Sequence, residues 1–333
     1  MNCLSEALDV VAPCPRDILD YHYDRNSILT NQSNAIQQLL PANITSIFAG
    51  SPVANNHVPH RIALILVKDG HRDYSIDFVS PQVERAVVRQ IRHYALDSAV
   101  ALYSKCSPVP SAAILTSWIF EAIVINVTRR ANGRLKEFVK MDPYEGARFA
   151  FDGRGHYPGG DTIVQQFGVE RKRDTVNLGP KVQLNLFKSP SPPSALPIGD
   201  KELVIYDDLS EVTFDSRKYY VPAKRTNPLF DAFFYQVVEQ DECVRLWIIQ
   251  APTAKTYGDA ETGYALIEEL VKKVPVGYVV ERVYVLAVPL EHRVSLPRVV
   301  WDMPDGWNVA LQGQVFVQFV DVKMSLGGDR PVS

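Results

Sequence analysis

The sequence predicts an α/β protein in which a mixed β-sheet is flanked by helices, with an N-terminal extension and a central insertion. Three stretches carry that expectation. Residues 112–127, AAILTSWIFEAIVINV, are apolar on nearly every side at helical length, which fits a helix running through the middle of a domain. Residues 229–288 read strand, strand, helix, strand, the order expected when a hairpin is followed by a crossover to a further strand. Between them, residues 142–200 hold Gly and Pro clusters and the linker SPSPPSALP, the composition of an insertion.

The totals exclude several classes. A chain of 333 residues that is 46% apolar can bury a real core as one large or two modest domains. A formal charge of −3 gives no global basic field for nucleic acid, although a local basic cleft would be hidden in that sum. Cys3, Cys14, Cys106 and Cys243 lie far apart without a CxxC pair, so neither a zinc site nor a disulfide framework is expected, and a reducing, intracellular compartment fits. The first twenty residues have early acids and no basic segment followed by a long apolar one, which argues against a signal peptide. Without a secretory route, the glycosylation-like tripeptides at Asn31, Asn43 and Asn126 are chance matches. The apolar run at 112–127 is short for a membrane span and contains Glu121, so no membrane association is expected.

Element by element, residues 34–40 give helical hints. RIALILVKDGHRDYSIDFV, from Arg61, reads as two strands about an Asp69-Gly70 turn. Ser80 caps the next helix, with Pro81 in its first turn and Val83, Val87, Ile91, Tyr94 and Leu102 along one stripe, until the Cys106-Ser-Pro-Val-Pro stretch stops it. A second helix spans Ser111 to about Arg130 and ends at Ala-Asn-Gly. RLKEFVKM (134–141), ELVIYDDL and SRKYYVPA are strands, and residues 229–238 and 244–250 form an antiparallel hairpin about a polar turn at 239–242. A helix over 260–274, a buried strand over 279–288, and strands at 298–300 and 314–323 complete the pattern. There is no internal repeat.

The polar residues inside these apolar elements are the candidates for chemistry. The buried helix offers Glu121, the first hairpin strand Asp231, its partner strand Gln250, and the strand exit Thr253 and Lys255. Period-two alternation sets Asp231 with Phe233 and Tyr235, and Gln250 with Ile248 and Leu246. If the two faces coincide, the polar groups meet. Two carboxylates and an amide oxygen at a sheet edge make a hard-oxygen site for Mg²⁺ or Mn²⁺, and a nearby lysine could stabilise a metal-bound hydroxide or a phosphorane oxygen. The plainer roles are a Glu121 neutralised by Arg129, Arg130 or another base, an Asp231 that caps or pairs, a Gln250 bonded to backbone and a solvated Lys255. His57 with His60 lacks further ligands, and Arg171-Lys-Arg173 reads as a solvated face.

Trp118-Ile-Phe-Glu121, Pro228-Leu-Phe-Asp231-Ala-Phe, Leu246-Trp-Ile-Ile-Gln250-Ala-Pro-Thr253 and Val283-Tyr-Val-Leu-Ala-Val-Pro289, in this order, resemble the PD-(D/E)xK restriction-endonuclease-like domain of Crinkler and retrotransposon-hot-spot proteins. Residues 60–83 resemble the segment that joins an upstream ATPase to the nuclease part in those proteins. The resemblance spans roughly residues 55–325. It implies a restriction-endonuclease-like mixed β-sheet flanked by helices, with an N-terminal region over 1–79 and a nuclease-like domain over 80–333 carrying the insertion at about 142–200. Glu121 would be the helix acid, Asp231 the metal-binding aspartate and Gln250 the second ligand in place of an acid. The family lysine falls at Pro252, so Lys255 would have to reach back, and Tyr257 stands where a histidine is frequent. No G-x-x-x-x-G-K-[ST] occurs, and Gly153-Arg-Gly-His-Tyr-Pro-Gly-Gly160 reads as a loop, so the ATPase seen in larger relatives is either absent or supplied by a partner chain.

Two functions follow as expectations: a Mg²⁺- or Mn²⁺-dependent nuclease acting on DNA, with an intracellular, in a eukaryote nuclear, location; or a degenerate nuclease-fold module that binds nucleic acid or a protein without cutting. An effector-type interaction module is the third.

Overall fold

The computed structural model describes residues 21–38, 63–67, 74–78, 80–109, 112–130, 134–144, 148–151, 193–197, 199–223, 229–239, 242–251, 256–257, 261–293, 299–303 and 313–323. Thr253, Lys255, Cys3, Cys14, His57, His60, the 153–160 loop and the 171–173 run lie outside them.

Helix α1 (Arg25–Gln37) is capped by Asp24, whose side chain accepts the Ser27 N–H. Strands β1 (Ala63–Val67) and β2 (Tyr74–Phe78) pair antiparallel, as the Asp-Gly turn predicts. Helix α2 (Pro81–Arg92) starts as expected, with Ser80 accepting the Val83 N–H. The single helix expected from Ser80 to Leu102 is in fact two. The chain leaves helical geometry after Arg92, and Ala95, extended and without a side-chain cap, opens α3 (Leu96–Cys106). The break lets both pieces pack on α4 (Ala113–Arg129), the apolar helix.

Among the described residues seven strands form the main sheet: β3 (Leu135–Lys140), β6 (Glu202–Tyr206), β7 (Lys218–Pro222), β8 (Ala232–Val238), β9 (Cys243–Gln250), β11 (Val279–Pro289) and β13 (Gln314–Val320), in the spatial order β3-β13-β11-β9-β8-β7-β6. β7, β8 and β9 are an antiparallel meander; α5 (Glu261–Lys272) then carries the chain to β11, parallel to β9. β9 and most of β11 are buried on both faces, which explains their nearly unbroken apolar runs. A smaller sheet, ordered β10-β12-β5-β4, is assembled from β4 (Asp142–Tyr144), β5 (Arg148–Phe151), β10 (Thr256–Tyr257) and β12 (Val299–Asp302).

Two cores sandwich the main sheet. On one face Tyr219, Val221, Ala232, Phe234, Trp247 and Ile249 pack with α2, α3 and α4. On the other, Tyr220, Phe233, Tyr235, Leu246 and Ile248 pack with Tyr264, Ile267 and Leu270 of α5 and with Trp301 of the small sheet. Ala35, Ile36 and Phe78 belong to the first core, and Phe78 stacks on Trp118 at 4.9 Å, so the described N-terminal elements share that core with α4. The arrangement is α4, then the β7-β8-β9 meander, then α5 and β11, with the two helices on opposite faces. Cys106 and Cys243 are buried free thiols. No described helix is long and apolar enough to cross a membrane.

Candidate functional site

Glu121 sits in the third turn of α4 and is 6% exposed. Its base is neither Arg129 nor Arg130 but Arg92, the last residue of α2: Nη2 donates to Glu121 Oε1 at 2.5 Å, and Nη1 donates to the Pro222 carbonyl at 3.1 Å. Sequence reasoning missed Arg92, although a signal was present. It follows Val88 by four residues, so it stands on the buried stripe of α2, where a charge requires a partner.

Asp231 lies just before β8 and is half-buried. Its Oδ2 accepts the Ala251 N–H at 2.7 Å, and its own N–H donates to the Ile249 carbonyl at 2.8 Å, so the aspartate clasps the end of the neighbouring strand. The hairpin faces coincide as expected, since Phe233 lies opposite Ile248 and both belong to the α5-side core. The alternation does not extend through Asp231, however. Phe230 and Phe233, three residues apart, share that core, whereas Ala232 turns to the other. Asp231 precedes Ala232, the first residue of β8, so the alternation of the strand does not fix the face it takes.

The β7–β8 register, Tyr219 opposite Phe234 and Tyr220 opposite Phe233, continues to bring Pro222 beside the start of β8. Pro222 is also the residue whose carbonyl Arg92 holds. Arg92, Glu121 and Asp231 thus surround one sheet end. Tyr219 registers the same grouping. Its buried hydroxyl, 2.6 Å from Thr128 Oγ1, has its pKa raised first by burial and further by the charges of Asp231 and Glu121; the Thr128 contact and Arg129 oppose the rise. Tyr219 and Thr128 were also invisible to sequence reasoning, being ordinary residues of apolar elements.

Gln250 ends β9 at the same end of the hairpin. Alternation carries it to the α5 side, between Ile249 and Ala251 of the opposite core. Its Oε1 is buried and has no hydrogen-bond partner among the described residues. A buried acceptor left unmatched costs about 1–3 kcal/mol, so a cation or a water-borne donor would be favoured there. Among the described residues no three His, Cys, Asp or Glu side chains gather to hold a metal ion. A divalent ion at this sheet end would therefore take Asp231 with either Glu121 on the α4 face or the Gln250 amide on the α5 face, and water in the remaining positions, which suits Mg²⁺ better than a softer ion. Gln250 lies on the α5 face and Glu121 on the α4 face, so the sheet stands between the orphaned Oε1 and that carboxylate, and the engagement of Glu121 by Arg92 further opposes a shared ion.

No family model, curated protein or solved structure matches the chain.

Proposed function

We propose that this chain is a metal-dependent nuclease of the restriction-endonuclease-like fold that hydrolyses DNA phosphodiester bonds, with Asp231 and Glu121 as the residues that would hold Mg²⁺ or Mn²⁺; Gln250, expected as the second ligand, turns to the α5 face and falls outside that pair. One observation supports the reading: the hairpin and β11 lie in one sheet with α4 and α5 packed on its two faces, and Glu121, through Arg92, and Asp231 both lie at the sheet end marked by Pro222. A bound divalent ion would supply a water of lowered pKa and charge opposite the phosphorane oxygens. The chain's own contribution is positioning. The Ala251 N–H fixes one oxygen of Asp231, and Arg92 fixes Glu121 and presents positive charge at the same sheet end. Lys255 would assist the attacking water. DNA as substrate, an ATPase-bearing partner chain and a nuclear location go with this reading.

The test compares Mg²⁺-dependent cleavage of DNA by wild type and Asp231→Asn, which keeps an acceptor for Ala251. Cleavage by wild type alone is expected; equal rates, or none in either protein, remove the enzymatic claim. A second reading, a nuclease-fold module that binds nucleic acid or a protein without cutting, is favoured by the Arg92–Glu121 ion pair and by Pro252 at the lysine position. It predicts DNA retention in chelator that weakens steeply with salt.

A further inference from the structure

Beside this sheet end, and separate from the hairpin, is a cavity of about 430 Å³ between the C-terminal ends of α2 and α4. Arg92, Arg129 and Arg130 line it, together with His93 and Asn126, the Arg92 guanidinium being already paired with Glu121; Tyr94 and Leu203 supply apolar wall. The volume lies within the range of small-ligand sites, roughly 300–1,000 Å³.

The arginines that line this cavity are incompletely matched. The Nε of Arg92 and the Nε of Arg129 are both buried without a hydrogen-bond partner among the described residues. Arg92 is itself 9% exposed, so its Nε–H has no ready access to bulk water. Arg129 uses Nη1 on the Lys201 carbonyl at 3.3 Å. Its pKa is lowered first by burial and then by repulsion from Arg130, while Asp200, which is exposed, opposes this. The two Nε–H groups themselves are closed off from the cavity, so an oxyanion there would be held by the charges of Arg129 and Arg130, whose mutual repulsion it would relieve. The helix C-termini oppose an anion with a partial charge of about −0.5 each, less than the charge that Arg129 and Arg130 bring together. Guanidinium forks match phosphate oxygens in pairs, which favours phosphate over a monodentate anion such as chloride.

We propose that this cavity binds a terminal phosphate group, seated among Arg92, Arg129 and Arg130, with the group that carries the phosphate lying against Tyr94 and Leu203. The proposal is independent of the hydrolase reading, since it needs neither a metal ion nor Asp231. A free phosphomonoester and the phosphorylated end of a nucleic-acid strand share this chemistry.

Calorimetric titration of the full chain in chelator, at fixed chloride concentration, tests it with inorganic phosphate, a 5′-mononucleotide, and one oligonucleotide with and without a 5′-phosphate. Saturable binding of inorganic phosphate and of the phosphorylated ligands is expected, with the 5′-hydroxyl oligonucleotide weaker by at least about tenfold. Tighter binding of the mononucleotide than of the phosphorylated oligonucleotide identifies a small-molecule site, and the reverse order identifies a strand end. Arg130→Gln, at an exposed position, and Arg129→Gln should each weaken phosphate about tenfold, the loss expected for a charged hydrogen bond. The proposal is overturned if no phosphate-bearing ligand saturates wild type, if the 5′-hydroxyl oligonucleotide binds equally well, or if Arg130→Gln, melting cooperatively like wild type, keeps full affinity.

Discussion

Replacing Arg92 with methionine keeps most of the side chain's length and removes its charge, which makes it the sharpest probe of the buried pair. Both partners are nearly out of water, Glu121 6% and Arg92 9% exposed, and the contact is 2.5 Å long. Breaking a pair buried to this degree leaves an uncompensated carboxylate and costs about 3–5 kcal/mol. Loss of the Nη1 bond to the Pro222 carbonyl adds on the order of 1 kcal/mol. Arg92→Met alone should therefore lose about 4–6 kcal/mol in urea denaturation. The double variant Arg92→Met/Glu121→Gln should recover most of that loss, because a neutral pair of similar volume carries no stranded charge. If Glu121 also serves a divalent ion, Mn²⁺ should restore part of the stability of Arg92→Met and none of that of the double variant. A loss below about 1 kcal/mol in Arg92→Met, the level of a solvent-exposed pair, would refute the claim that this contact is a buried electrostatic tie between α2 and α4.

Other outcomes follow from the same coordinates. Tyr206, Tyr219, Tyr235 and Tyr284 all have pKa values raised chiefly by burial. Each is neutral when protonated, so the stability it contributes is complete below the unfolded value near 10 and falls as pH rises through the higher folded values; alkaline ultraviolet titration should show these phenols ionising only as the protein unfolds. Gly313, at φ +103°, precedes β13, and a Cβ there would overlap the Arg282 carbonyl oxygen, so Gly313→Ala should cost on the order of 2 kcal/mol or more in thermal or urea melts. Equal stability of that variant would show that β13 can shift away from β11.

The long apolar helix, the hairpin and the strand-helix-strand crossover were legible because their periodicity reports burial directly. Ser80 and Pro81 marked the start of α2 because a cap has a local signature. What failed was local geometry set by tertiary contacts. Nothing in VVRQIRHYALDS announces that the helix stops at Arg92, since the break is fixed by the packing of α2 and α3 on α4. Alternation likewise cannot place Asp231, because β8 begins one residue later and the composition does not mark that boundary. Glu121 was recognisable as a charge needing a partner; that the partner lies twenty-nine positions earlier is a fact of helix docking.

The sheet wall beneath α4 is built mainly from strands that follow the insertion, while α4 itself precedes it, and β3, which also precedes it, docks on β13. The polypeptide thus closes on itself like a clasp, and neither segment on its own carries both sides of the seam. A break in the peptide backbone within 152–192 would therefore sever a covalent link without removing any strand pairing described here, and the two fragments would be expected to purify as one particle and to refold only when mixed.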